Sequence, residues 1–259
     1  MIYGREFFDL QLMFARAVAA RSGLALARAI LDYTNCYIRF GLGRDFDPEH
    51  PRWQEYVAGL RETDDHGDWT HRFYLTCPAT TPPGLVATVG CFGYARLSAQ
   101  RLRLHFLNAE TAGRSPLATE RQSERLAELA ALFERVKRAE PNDSRMVGAS
   151  WLYNVAGYRR LFPASYLATA RVAYGRFRHL PLWGQFVDRN GEIRKAPAAE
   201  FRERLARETD PAQLERCFPL PVLQLEAPVS AFFDQYGVSR GSACLPRRAC
   251  RTIPPLADP

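Results

Sequence analysis

Residues 101–154 read RLRLHFLNAETAGRSPLATERQSERLAELAALFERVKRAEPNDSRMVGASWLYN. The first seven residues alternate between polar and apolar side chains, which predicts a half-buried strand with Arg103 and His105 on its polar face. Ser115 followed by Pro116 then signals a helix N-terminus, and apolar residues recur behind it at helical spacing. Residues 146–153 return to strand character. A strand, a long helix and a second strand are therefore predicted in that order.

The flanking segments extend this pattern in both directions. Upstream, the β-rich residues 69–76 and 85–97 predict two antiparallel strands joined by turn chemistry over 78–84. Downstream, a short helix over 156–161 and a strand over 166–173 follow. Residues 1–40 predict two helices broken at Ser22-Gly23. The predicted fold class is α+β, with a mixed, mainly antiparallel sheet and flanking helices.

Composition excludes few functions. The chain carries a net charge of +7 with a pI near 9.3, but only Lys137 and Lys195 are lysines among its 35 basic residues. We interpret that arginine excess as a codon bias rather than a nucleic-acid signature. The six cysteines form no C-x-x-C pair, so no metal is expected. No apolar stretch approaches the ~20 residues that span a bilayer, and a cytoplasmic location is expected.

Over residues 69–174 the order of hairpin, third strand, capped helix, strand, short helix and strand resembles the core of the GNAT superfamily of acyl-CoA N-acyltransferases. Asn154 and Tyr158 also resemble the Asn and Tyr of that family's pattern after its second core strand. The resemblance implies that the strands before and after the long helix splay apart and that pantetheine lies between them. With a GNAT-like core over 69–174, the expected division is an N-terminal helical subdomain (1–68), that core, and a C-terminal extension (175–236). The residues after it, 237–259, have too little periodic apolar content to pack and are expected to be disordered.

The resemblance also implies the site residues. The cosubstrate would be acetyl-CoA or another acyl-CoA, with its pyrophosphate at the helix start beside Gly113, Arg114 and Ser115 and with Asn154 nearby. In place of the family's Gly-rich phosphate loop, residues 109–116 contain one glycine. Ser115 is otherwise an ordinary helix cap, and Asn154 could cap the short helix that follows it.

For catalysis the resemblance implies a phenol that protonates the departing thiolate, and the candidate is Tyr158. The acceptor, a small-molecule or protein amine, needs a base near the end of the third strand. Glu110 and His105 are the titratable groups there, on opposite faces if the strand continues regularly, and Glu110 is the predicted base. Backbone donors of a strand would stabilise the oxyanion. Alternatively, Tyr158 only packs the short helix on the sheet.

Three other functions remain open. The fold could serve a non-catalytic protein that binds a ligand, a protein or a nucleic acid. A thiol site would form if the predicted hairpin set His71 opposite Cys91. A nucleic acid could lie along arginines interleaved with aromatic residues over 171–183, although no recognised module accompanies them. The sequence identifies no acceptor, acyl-chain length or oligomeric state.

Overall fold

The computed structural model of the chain describes residues 2–78, 84–107, 109, 115–173, 177–178 and 180–238. These residues form a mixed α+β fold around one open sheet of six strands. The predicted fold class is confirmed at this level.

Five helices precede the sheet. The first, α1, ends as predicted at Gly23, whose φ of 73° is left-handed and whose N–H donates to the carbonyl of Ala19. Its buried face includes Phe7, Phe14 and Val18. The five helices are α1 (Arg5–Ser22), α2 (Leu26–Tyr33), α3 (Cys36–Arg39), α4 (Pro51–Arg61) and α5 (His66–Thr76).

Helix α5 corrects the strand predicted over residues 69–76. The Asp65 side chain caps the helix by accepting a hydrogen bond of 2.9 Å from the Asp68 N–H. Thr70 and Phe73 are buried one turn apart on the same side of the helix. A cap and a helical apolar stripe thus override the local preference of Trp, Thr, Phe and Tyr for strands. The helix also crosses the predicted division between residues 68 and 69, and that division stays a prediction.

The sheet has the strand order β1-β2-β3-β4-β6-β5. The third strand forms as predicted, but the hairpin between residues 69–76 and 85–97 does not, because the first of these segments is α5. The predicted strand over 85–97 instead turns back on itself to give the hairpin of β1 and β2. Residues 166–173 contribute only the short β5. One pair, β3 with β4, is parallel, and every other neighbouring pair is antiparallel. The strands are β1 (Ala87–Val89), β2 (Phe92–Ser98), β3 (Arg101–Phe106), β4 (Arg145–Ser150), β5 (Arg171–Val172) and β6 (Leu223–Pro228).

The long helix α6 (Gln122–Ala139) connects the two parallel strands. It begins later than predicted, because a 3₁₀ turn over Thr119–Arg121 precedes it and Ser115 lies outside it. The Ser115 hydroxyl instead accepts a hydrogen bond from the Leu117 N–H, so Pro116 belongs to a turn. The predicted stripe is correct, since Leu129, Phe133 and Val136 are fully buried.

The remaining elements are short helices and turns. After β4 come the 3₁₀ turn Trp151–Asn154, α7 (Ala156–Arg159), α8 (Ala164–Leu167), α9 (Leu180–Trp183), the 3₁₀ turn Gly184–Phe186, α10 (Lys195–Arg207), the 3₁₀ helix Pro211–Cys217 and α11 (Val229–Tyr236).

Two hydrophobic cores lie on opposite faces of the sheet. One joins the N-terminal helices to residues 182–222 and reaches the sheet at Ala149. The other joins α6 and α11 to the sheet through Leu102, Leu104 and Met146, with Phe133 stacked on Phe232 at 4.6 Å between ring centroids. Residues of both faces can therefore meet wherever two neighbouring strands separate.

Candidate functional site

Strands β3 and β4 separate halfway along their length. They pair at Arg101 with Arg145, at Leu102 with Met146 and at Arg103 with Val147, although both strands continue for three more residues. Over those residues β3 stays paired with β2, and β4 stays paired with β6. A gap therefore opens within the sheet.

A cavity of about 340 Å³ occupies this gap. Its walls come from residues 103–107 of the β3 side and from residues 149–153 of the β4 side. Tyr158 of α7 contributes from the face that carries α6, whereas Arg44 and Pro181 contribute from the face of the N-terminal helices. The cavity therefore has walls from both faces of the sheet.

The edge of β3 directs polar backbone groups into the gap. The Leu107 N–H donates to the Cys91 carbonyl at 2.7 Å, on the β2 side. Because consecutive residues of a strand direct their backbone groups to opposite sides, the N–H and C=O of Phe106 point away from β2 and toward β4. The gap thus has a backbone donor in its wall.

Tyr158 lies where the cavity meets the second core. Its ring packs edge-on against Phe106, Tyr153 and Phe162, at centroid distances of 5.5, 5.0 and 4.8 Å. Burial, and then the neighbouring Tyr153, raise the pKa of the Tyr158 phenol well above its usual value. The phenol therefore stays protonated at neutral pH, and the raised pKa makes it a weaker proton donor than a solvent-exposed tyrosine.

His105 lines the same cavity from the polar face of β3. Burial, and then the positive charges of Arg103 and Arg44, lower the pKa of its imidazole to about 4. At neutral pH the ring is therefore uncharged and has a nitrogen lone pair to accept a proton.

The six predicted site residues fall into three groups. Tyr158 lines the cavity. Asn154 does not line it, and its side-chain amide donates to the carbonyls of Trp151 and Pro221, both at 2.8 Å. Nor does Asn154 cap α7, because the N-cap position belongs to Val155, which makes no side-chain capping bond. Ser115 lies in the turn described above. The other three, Glu110, Gly113 and Arg114, lie outside the described residues.

Sequence reasoning did not identify Arg44, Trp151 or Pro181 as site residues. Arg44 and Pro181 come from distant parts of the chain, and no local pattern joins either to β3. The one local signal was the loop that holds Arg44, in which glycines occupy positions 41 and 43.

Over the residues that it describes, the structure does not form the two alternative sites, the thiol site and the nucleic-acid surface. His71 belongs to α5 rather than to a strand opposite Cys91, and the buried Cys91 thiol instead meets the Arg125 guanidinium, with 2.7 Å between Sγ and Nη1. In the basic-aromatic segment, Trp183 is fully buried and Phe177 packs against the first core. Neither ring is available to stack on a base.

A second cavity, of about 290 Å³, lies beside β5 and the 3₁₀ helix Pro211–Cys217. Its walls are mainly apolar, with Arg204, Glu215 and Arg216 as the charged lining residues. No histidine, cysteine or tyrosine among the described residues lines it. The gap between β3 and β4 is therefore the better candidate for chemistry.

Within the described part of the chain, no group of three or more His, Cys, Asp and Glu side chains is arranged to hold a metal ion. No helix described here is both long and apolar enough to cross a membrane. Comparison of the chain with family models, with curated proteins and with solved structures finds no match. The functional argument therefore rests on the gap itself.

Proposed function

We propose that this chain resembles GNAT-type enzymes in function and transfers an acyl group from acyl-CoA to an amine. The observation that carries the proposal is the parting of two parallel strands around a cavity of about 340 Å³. A thioester on an extended pantetheine arm needs a narrow slot with backbone hydrogen-bonding groups along its wall. The strand edge at Phe106 supplies such groups.

In the proposed reaction the amine nitrogen attacks the thioester carbonyl carbon, a C–N bond forms and the C–S bond breaks. The amine loses one proton to a base, and the CoA thiolate gains one proton from an acid, so charge balances over the turnover. The oxyanion that forms on the carbonyl oxygen accepts a hydrogen bond from the Phe106 N–H.

Tyr158 is the proposed acid, because the residue lines the cavity and its phenol is protonated at neutral pH. His105 is the proposed base, because its neutral imidazole lines the same cavity. With a pKa of about 4 it is a weak base, so it acts on an amine that has already reached the site uncharged. Glu110 remains the base implied by the family resemblance.

The CoA phosphates are proposed to bind before α6, near residues 113–121, with Gly113, Arg114 and Ser115 as the candidate contacts. Arg160 lies beside this segment and donates to the Leu117 carbonyl and to the Thr119 hydroxyl, both at 3.1 Å. It adds positive charge where a pyrophosphate would lie. Asn154 is not proposed to touch pantetheine directly, since two carbonyls hold its amide.

A non-catalytic binding protein is the second candidate. The observation that favours it is the packing of Tyr158. This residue is 2% exposed, and its ring packs against three other aromatic rings. Such packing explains the residue without chemistry. In that case the cavity would bind a ligand and release it unchanged.

The test is calorimetric titration of the full chain with acetyl-CoA and with a longer acyl-CoA. The Ala149→Phe variant places a ring in the gap, and Ala199→Phe, on an exposed position of α10, is the matched control. We expect binding that Ala149→Phe abolishes and Ala199→Phe preserves. Absence of binding to the wild-type chain at about 100 μM, where a Kd of ~10 μM gives measurable heat, would refute the proposal.

A further inference from the structure

On the side of the cavity that faces the N-terminal helices, the charged lining residues are basic. Arg44, Arg103 and His105 lie on that side, and no Asp or Glu among the described residues lines the cavity. Arg44 and Arg103 also act together on His105, since both lower the pKa of its imidazole. Arg44 and Arg103 therefore bring positive charge to this side of the gap.

The loop that holds Arg44 is anchored firmly. Gly41 and Gly43 have φ angles of 73° and 102°, and Phe46, at 55°, is the one non-glycine residue with positive φ among the described residues. Phe46 is buried in the first core, and its ring lies under the Arg178 guanidinium at 4.9 Å. A non-glycine residue keeps such a backbone only where its surroundings enforce it. The surroundings of Phe46 thus enforce the backbone conformation of the loop that carries Arg44 beside the cavity.

Arg44 lies on the side of the sheet opposite the proposed phosphate site. Ala149 and Phe46 pack with the first core, whereas Leu104 and Met146 pack with the second core and α6. In the proposed function, CoA approaches from the start of α6. The opposite mouth of the gap, beside Arg44, is then left for the acceptor.

We infer that the acceptor is an amine that also carries an anionic group, a carboxylate or a phosphate, which pairs with Arg44. The inference rests on the proposed acyl transfer and specifies its substrate class. A guanidinium binds either anion through paired N–H donors. His105 and Arg44 line the same cavity, so an acceptor held by its anion would have its amine within the cavity that the imidazole lines.

The test compares acceptors that differ only in the anion. With acetyl-CoA as donor, β-alanine is paired with β-alaninamide, and O-phosphoethanolamine with ethanolamine, and CoA release is followed by chromatography. We expect kcat/KM to be about tenfold higher for the anionic member of at least one pair, as a charge-assisted hydrogen bond provides. The pair that responds distinguishes a carboxylate from a phosphate.

Variants then locate the preference. Arg44→Gln should remove it, Arg44→Lys should restore part of it, and Arg202→Gln, on an exposed position of α10, should keep it. A second readout avoids turnover: with desulfo-CoA bound, calorimetry should detect the preferred anionic amine in the wild-type chain and lose that heat in Arg44→Gln. The Kd of acetyl-CoA itself should be the same in Arg44→Gln and in the wild type.

Equal rates for both members of each pair, no acylation of either anionic amine, or a preference that survives Arg44→Gln would overturn the inference while the proposed function stands. A weaker Kd for acetyl-CoA in Arg44→Gln would also overturn it, because Arg44 would then belong to the donor site. If the wild-type chain fails to bind acyl-CoA, the proposed function falls and the inference falls with it.

Discussion

The hydroxyl groups of Tyr153 and Tyr166 lie 2.8 Å apart, directly over the α carbon of Gly148. A β carbon at position 148 would lie 2.0 Å from the first hydroxyl oxygen and 2.1 Å from the second. Two large side chains thus pack against β4 at the residue where β3 begins to part from it. The glycine is required by this packing rather than by its backbone angles.

Gly148→Ala should therefore destabilise the protein. We expect a loss of about 1–3 kcal/mol in the free energy of unfolding, since the added methyl group overfills a packed site. Denaturant unfolding measures it. Gly84→Ala is the matched control, because no described atom lies within 4 Å of a β carbon there, and it should change stability little. A Gly148→Ala variant as stable as Gly84→Ala would show that the tyrosines do not pack on the strand.

Glu140 should make stability depend on pH. Its side chain is 2% exposed and accepts hydrogen bonds from the Tyr94 hydroxyl, at 2.7 Å, and from Arg96. Burial alone would raise the pKa of this carboxyl group, but the hydrogen bonds from Arg96 and Tyr94 outweigh burial and hold the pKa below its usual value. The ionised form therefore stabilises the native state above the unfolded-state pKa of about 4.3, and that contribution is lost as pH falls through the native pKa.

Glu140→Gln should thus cost about 1–3 kcal/mol at pH 7, and the difference from the wild type should shrink between pH 5 and pH 3. Denaturant unfolding across that range checks the slope. Glu203→Gln, whose carboxylate is 69% exposed on α10, is the control and should follow the wild type at each pH. A difference that stays constant with pH would mean that the lost stability comes from packing and not from the charge.

Tyr158→Phe should separate binding from chemistry. If the phenol protonates the thiolate, kcat should fall by about 10²-fold while the Kd of acetyl-CoA stays unchanged. Tyr236→Phe is the control: it removes a phenol that donates to the Leu161 carbonyl at 2.7 Å and does not line the cavity. Steady-state kinetics at saturating acyl-CoA provide the measurement. Equal kcat values for the two variants would assign Tyr158 a packing role only.

His105 should stay neutral over most of the accessible pH range. Among the five histidine ring resonances, the one that disappears in His105→Gln should not shift between pH 8 and pH 5.5, since its pKa is about 4. Arg44→Gln should raise the pKa of His105, because it removes one of the positive charges that lower this pKa. A midpoint near 6.5 in the wild type would place the imidazole in water, away from the cavity wall.

The local sequence pattern predicted correctly those elements whose apolar residues recur with the period of the element and are buried in the structure. The alternation of β3 is correct because Leu102 and Leu104 face a core, and the stripe of α6 is correct because Leu129 and Phe133 do the same. The error at α5 has the opposite cause. There, side chains that favour strands lie on a helix whose start depends on one carboxylate, that of Asp65, and on packing against the N-terminal helices.

The site was less predictable than the fold. The position of Tyr158 follows a local pattern, but Arg44 and Pro181 reach the cavity through tertiary packing. Ser115 was wrongly predicted to begin the long helix, because a serine before a proline also begins ordinary turns. Burial and Arg103 lower the pKa of His105 most, and Arg44, which is 61 residues away in the chain, lowers it further. Such long-range relationships have no signature in a short window of sequence.

The sheet also constrains the order in which the walls of the gap can form during synthesis. Strand β4 has its antiparallel partner β6 much later in the sequence, with Arg145 opposite Pro228. A nascent chain that has not yet emerged past Leu223 can form the β2–β3 wall of the gap but not the β4–β6 wall. Because pairing of distant segments is slow, the gap should be completed only after β6 has been synthesised and has paired with β4. Truncated fragments that end before β6 should therefore have no site, even where their helices fold.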